Sequence, residues 1–304
     1  MNYENPDALV TTEWLAAHLE NPKVKILDAS YFVPGGVLPA RTQYEDAHIP
    51  GSIFFDINDI ADKSKPKEHT FPTKDIFAAK VGALGIHNGH QIIIYDHLGG
   101  ACAAARVWFM FRAFGHNNVA VLNGGRTKWE EEKRPYSNKS PIMITEIFEA
   151  HGPINRLPQK EDIFINIGAN SFQVLDARSS GRFEGTEAEP REGLRGGHIP
   201  ESRNLPFLEL LEPDSKTWKN GKKLRSSFAN AGIDLGKPLV TTCGSGVSAC
   251  ALALGAYLAG NTKTTIYDGS WVEWGADKSL PIETASLPVT NYSASKAPNT
   301  DGDF

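Results

Sequence analysis

Short apolar runs punctuate this chain, each bounded by polar or turn-forming residues. Ile26-Leu27, Ile92-Ile93-Ile94-Tyr95, Val121-Leu122, Val174-Leu175, Leu239-Val240 and Ile266-Tyr267 are the clearest. Brief runs that are apolar on both faces read as fully buried strands. Helix-forming stretches lie between them. Glu13-Trp14-Leu15-Ala16-Ala17-His18-Leu19 is one, with Thr12 as its expected cap, and the apolar run Ala249–Leu258 is another. Strands alternating with helices predict an α/β chain of mostly parallel sheets with helices on both faces.

The pattern is written twice. Ile26-Leu27-Asp28-Ala29 returns as Val174-Leu175-Asp176-Ala177, and Ala47-His48-Ile49-Pro50 as Gly197-His198-Ile199-Pro200. Trp129 returns as Trp274, and the offset drifts from 150 to 145 residues (198 − 48 and 274 − 129) as short loop insertions would make it do. Two tandem domains are therefore expected, 8–140 and 158–285. A linker at 141–157 is marked by Ser140-Pro141 and His151-Gly152-Pro153, and a loosely ordered Ser-, Pro- and Asn-rich tail at 286–304.

The two copies differ in one place that carries chemistry. The run Leu239-Val240-Thr241-Thr242 leads into Cys243-Gly244-Ser245-Gly246-Val247-Ser248 and then into the Ala249 helix. A cysteine at the tip of a strand faces the first N–H groups of the helix, which favour an anion at the sulfur. The matching position in the first copy is Asp96, so one reactive and one degenerate half are expected.

Composition narrows the rest. A net charge of −5 with scattered basic residues argues against nucleic acid as a partner. The longest apolar stretch, around Ala249–Gly260, is too short to span a bilayer, so no membrane partner is expected. Cys102, Cys243 and Cys250 have neither disulfide-framework nor metal-site spacing, so no metal or other cofactor is expected. They suit a reducing compartment, and Met1–Asp7 has no leader-like pattern, which points to the cytoplasm.

Asp-Ala-Arg, then Gly-His-Ile-Pro, then a cysteine between strand and helix, all in a doubled chain, resembles the two-domain rhodanese-type sulfurtransferases. The resemblance covers roughly residues 8–285, and the loop from Cys243 to Ala249 looks like the signature of the 3-mercaptopyruvate sulfurtransferases within that family. It implies two rhodanese-like domains and a persulfide on Cys243, with sulfur taken from mercaptopyruvate and passed to a small thiol, thioredoxin or cyanide. Gly244, Gly246, Val247 and Ser248 would line the donor's pocket, and Arg182 and Arg191 match the family's substrate-binding arginines. The chemistry agrees, because a guanidinium fork grips a carboxylate bidentately and stays charged.

The resemblance also implies proton handling by Ser245 and His69, with an aspartate beside the histidine. Asn58 stands at the aspartate's position, and Asp56 or Asp59 would have to substitute if an acid is needed. Two alternatives share this reading: a thiosulfate sulfurtransferase, and a non-enzymatic module relaying persulfide between proteins. Phosphatases of the same fold need Cys-x5-Arg, and the sixth residue after Cys243 is Ala249, which excludes them.

Overall fold

Among the described residues the named strands all pair in parallel and fall into two sheets. The computed structural model describes residues 2–31, 39–152 and 157–284; the expected tail and residues 153–156 of the expected linker lie outside them. The first half holds β1 (Leu9–Val10), α1 (Thr12–Ala17), β2 (Val24–Asp28), α2 (Ala40–Asp46) and β3 (Ile53–Phe54). It continues with α3 (Lys74–Ala83), β4 (Gln91–Tyr95), α4 (Ala103–Ala113), β5 (Val119–Leu122) and α5 (Gly125–Glu131). Its sheet order is β1-β5-β4-β2-β3. The second half holds α6 (Lys160–Asn166), β6 (Gln173–Asp176), α7 (Ser180–Glu184), β7 (Arg203–Asn204) and α8 (Gly221–Asn230). After these come β8 (Leu239–Thr242), α9 (Ala249–Leu258), β9 (Thr264–Ile266) and α10 (Ser270–Trp274), with sheet order β7-β6-β8-β9.

The repeat anchors play the same part in both halves. Asp28 and Asp176 end the equivalent strands β2 and β6. His48 and His198 stack on Tyr44 and Phe183 at 4.1 and 3.7 Å. Each bridges to the end of its own half, at Ser137 and Glu283. Trp129 and Trp274 each donate an indole N–H to a proline carbonyl, Pro135 at 2.9 Å and Pro281 at 2.8 Å. The recurring residues are thus latches of the fold. One local expectation shifts by a residue: Thr11 caps α1, accepting from Trp14 N at 3.1 Å, while Thr12 turns its hydroxyl to Glu132.

Helices α4 and α9 explain how the halves meet. Both are apolar around almost their whole circumference, as a helix buried on all sides must be. They pack on each other, and one continuous core draws on both halves and includes Cys243 and Val247. Residues 2–5 cross to the second half, where Glu4 N donates to Leu258 O at 3.0 Å and Asn5 Nδ2 to Tyr257 O at 2.7 Å. Two large apolar helices back to back make a fixed seat for any loop that spans the junction.

Candidate active site

Cys243 follows the buried strand β8 directly and is itself 1% exposed. The loop behind it is held from outside: Trp271 N donates to Cys243 O at 2.9 Å and Val272 N to Gly244 O at 2.8 Å. Ser270 Oγ accepts from Cys243 N at 3.3 Å. Gly246 N donates to the Cys243 sulfur at 3.1 Å. Only glycine fits there, because φ is +90° and a Cβ would stand 2.9 Å from the Asp268 carbonyl.

The first half shows what this kind of loop holds. Asp96 sits where Cys243 sits, and four backbone N–H groups converge on its carboxylate. Leu98 and Gly100 donate to one oxygen at 2.8 and 2.9 Å. Cys102 and Ala104 donate to the other at 3.1 and 3.0 Å. The degenerate loop is an anion cradle filled by its own side chain. In the second half the backbone donor to the sulfur is Gly246 N, and a persulfide would carry a second sulfur atom into a loop of the same kind.

The two predicted arginines converge on this loop. A Cβ placed on Gly244 would be 3.0 Å from Arg182 Nη2 and 3.9 Å from Arg191 Nη1, so both guanidinia stand over the residue next to Cys243. They are held differently. Arg182 forks onto Glu189 at 2.6 and 3.2 Å, whereas Arg191 meets the exposed Glu68 at 3.6 Å. Arg178 is structural: it is buried and tied to Asp176, Glu189 and the Gly197 carbonyl.

Ser245 and His69 come together across the junction of the halves. His69 Nε2 lies 3.1 Å from Ser245 Oγ, and its Nδ1 lies 2.9 Å from Asn58 Oδ1. With the Nδ1 proton donated to Asn58, Nε2 accepts from the serine hydroxyl. Asn58 thus orients the ring without being an acid. Asp56 instead accepts from the backbone N–H groups of Asn58 and Asp59, and Asp59 pairs with Lys63 and Lys80, so neither replaces the family aspartate. Burial, then the charges of Arg106, Lys67 and Arg191, push the His69 imidazole down to about 3. It is neutral at any ordinary pH and serves as an acceptor. Of the other candidates, Val247 keeps its side chain in the core, and Ser248 stands at the start of α9 without a side-chain cap bond.

Three neighbours escaped the sequence reading. Arg106 reaches from α4 to the Gly246 carbonyl at 3.2 Å, the His69 carbonyl at 2.9 Å and Asp268 at 2.7 Å. Lys67 donates to the carbonyls of Ser245 at 3.1 Å and Asp268 at 2.5 Å. Burial works against the Asp268 charge, but Arg106 and Lys67 outweigh it and hold the carboxyl below its usual range. Arg106 had a signal, as the lone charge in the apolar run Ala101–Phe111. Lys67 sits in a polar loop and had none.

The buried histidines set an acid limit. His69 falls to about 3 and His90 to about 4, each chiefly through burial. Unfolded histidine takes up a proton near 6.5, so below that pH the unfolded chain binds more protons than the folded one. Stability should therefore be complete above about pH 6.5 and decline as pH falls toward 4. Urea midpoints measured across that window check this; a flat profile would contradict the burial of these rings.

Residues 11–132 and 165–277 match the Rhodanese-like domain family. The rat 3-mercaptopyruvate sulfurtransferase is 44% identical over 88% of this chain and 91% of its own. A thiosulfate sulfurtransferase from Cricetulus griseus is 41% identical with the same coverage. Among solved structures, SseA from Escherichia coli, described as showing the fold of the 3-mercaptopyruvate sulfotransferases, superposes with a TM-score of 0.77 at 32% identity. That superposition covers 87% of this chain and 98% of SseA. Among the described residues no helix is long and apolar enough to cross a membrane.

Proposed function

This chain belongs to the rhodanese family of sulfurtransferases, and from that premise we propose that it takes sulfur from 3-mercaptopyruvate through a persulfide on Cys243. One observation carries the choice of donor: two guanidinium groups converge over Gly244, beside the reacting sulfur. A 2-keto carboxylate offers them carboxylate and keto oxygens as acceptors. The 41–44% relatives include both mercaptopyruvate and thiosulfate enzymes, so the arginines and not the family decide.

The steps balance as follows. The Cys243 thiolate attacks the sulfur of mercaptopyruvate, an S–S bond forms and the C–S bond breaks. The electron pair of the broken bond leaves on carbon as the enolate of pyruvate, stabilised by Arg182 and Arg191. The thiol proton carried in by the donor can pass from the new persulfide to that carbon, with the Ser245 hydroxyl beside it as the nearest carrier. The persulfide anion then lies among the loop N–H groups, in the way the Asp96 carboxylate lies in the other half. A small thiol, thioredoxin or cyanide removes the outer sulfur and restores Cys243. A cytoplasmic setting, rich in reduced thiols, suits this acceptor chemistry and the three free cysteines.

Intact mass after exposure to each donor without an acceptor tests the reading. Mercaptopyruvate should add one sulfur atom per chain; a gain from thiosulfate alone would overturn the donor assignment. Arg191→Ala should raise the KM for mercaptopyruvate at least about tenfold, since a hydrogen bond to a charged group is worth about 1.5–3 kcal/mol. Thiosulfate turnover should change much less. Equal losses with both donors would contradict a carboxylate-binding role for Arg191.

A further inference from the structure

Lys67 reaches the catalytic loop from the other half of the molecule, and its side chain is 13% exposed. It donates to Ser245 O at 3.1 Å and to Asp268 O at 2.5 Å, with the Asp268 carboxylate at 3.0 Å. The Ser245 carbonyl belongs to the same peptide unit as Gly246 N, and Gly246 N is the donor to the Cys243 sulfur at 3.1 Å. The chain has no cis peptide bond among its described residues, so the C=O and N–H of that unit point in opposite directions. One rigid plane is therefore gripped at one end by a cation and at the other by the reacting sulfur.

We propose that Lys67 is a positioning residue for sulfur transfer: through the Ser245–Gly246 peptide it aims and polarises the N–H that stabilises negative sulfur. A positive charge on the carbonyl draws electron density from the amide and strengthens the N–H as a donor. The next peptide is treated alike. The Gly246 carbonyl accepts from Arg106 at 3.2 Å and from the Cys250 thiol at 3.4 Å, so the carbonyl of the Gly246–Val247 peptide also carries a cation. Both cations share Asp268 as counter-ion. The first half thus does more than wall the site: it places a cation on the carbonyls of two consecutive peptides, the first of which donates its N–H to the sulfur.

The role differs from merely fastening the loop. Trp271, Val272 and Ser270 already hold Cys243 and Gly244 by bonds that do not involve Lys67. Lys67 also borders a cavity of about 740 Å³ with Asp268, Gly269 and Phe71, so a small solute can reach its position from solvent.

The inference rests on the persulfide reading above, and the sulfur gain of the unaltered protein serves as its control. Single-turnover persulfide formation is measured against mercaptopyruvate concentration for the unaltered protein, Lys67→Met and Lys67→Ala. Residues that act through a contacting group typically matter about 10- to 100-fold. The limiting rate should fall by about that factor in Lys67→Met, with the half-saturating concentration within about twofold. Butylammonium should restore much of the rate in Lys67→Ala by entering the cavity, and butanol of the same size should not. If Lys67→Met does not fold, Lys67→Gln, which keeps a donor and loses the charge, takes its place in the comparison. An unchanged limiting rate, a loss wholly in half-saturation, or equal rescue by butanol would overturn the proposal. No sulfur gain in the unaltered protein would overturn the persulfide reading instead.

Discussion

Cys243→Ser should abolish sulfur transfer, by about four orders of magnitude or more, as loss of a covalent nucleophile generally does. The substitution is nearly isosteric, so Gly246 N keeps an acceptor and the loop keeps its external anchors. The oxygen cannot hold a transferable sulfur. The other two thiols cannot stand in. Burial, then the Asp96 charge, push the Cys102 thiol well up, and burial pushes Cys250 up to about 12. The Cys250 proton is moreover donated to Gly246 O. The variant's mass should therefore not change in mercaptopyruvate, while its unfolding midpoint stays close to that of the unaltered protein. A sulfur atom gained by Cys243→Ser would show that a second thiol carries the chemistry.

The contrast between the two loops predicts a single site per chain. Sequence comparison of the halves pairs Cys243 with Asp96 and so separates a reactive loop from an inert one. The structure adds the reason for the inertness: the carboxylate of Asp96 already occupies the position an incoming anion would take. The strand–loop–helix around Cys243 was legible because each piece has its own local signature. Strands β3 and β7 are two residues long and carry no periodicity at all, so they emerge only from pairing with β2 and β6. Arg182 and Arg191 were legible through motif matching, but their convergence on Gly244 was not. Lys67 was invisible because its meaning is created by docking: an ordinary lysine in a polar loop becomes part of the site only when α4 and α9 bring the halves together.

Arg106→Leu tests that docking most severely. The guanidinium is 1% exposed, lies 5.0 Å over the Phe71 ring and satisfies Asp268, Gly246 O and His69 O together. Leucine suits the apolar pattern of this helix better and has a similar helix propensity, so a judgement from local sequence would call the change stabilising. The structure predicts the reverse. Asp268 would keep Lys67 and the Phe71 N–H but lose its other cation, the Gly246 carbonyl would keep only the Cys250 thiol, and the His69 carbonyl would lose its donor. Breaking a buried charge network from one side costs about 3–5 kcal/mol. Activity should fall as well, since His69 and Gly246 are both held by this one side chain. Arg106→Lys restores charge but cannot reach three acceptors in a plane, so it should recover part of the stability and less of the activity. Urea unfolding together with mercaptopyruvate turnover reads both effects. A leucine variant within about 0.5 kcal/mol of the unaltered protein would mean that the halves do not depend on this charge, and that the loop is held by the second half alone.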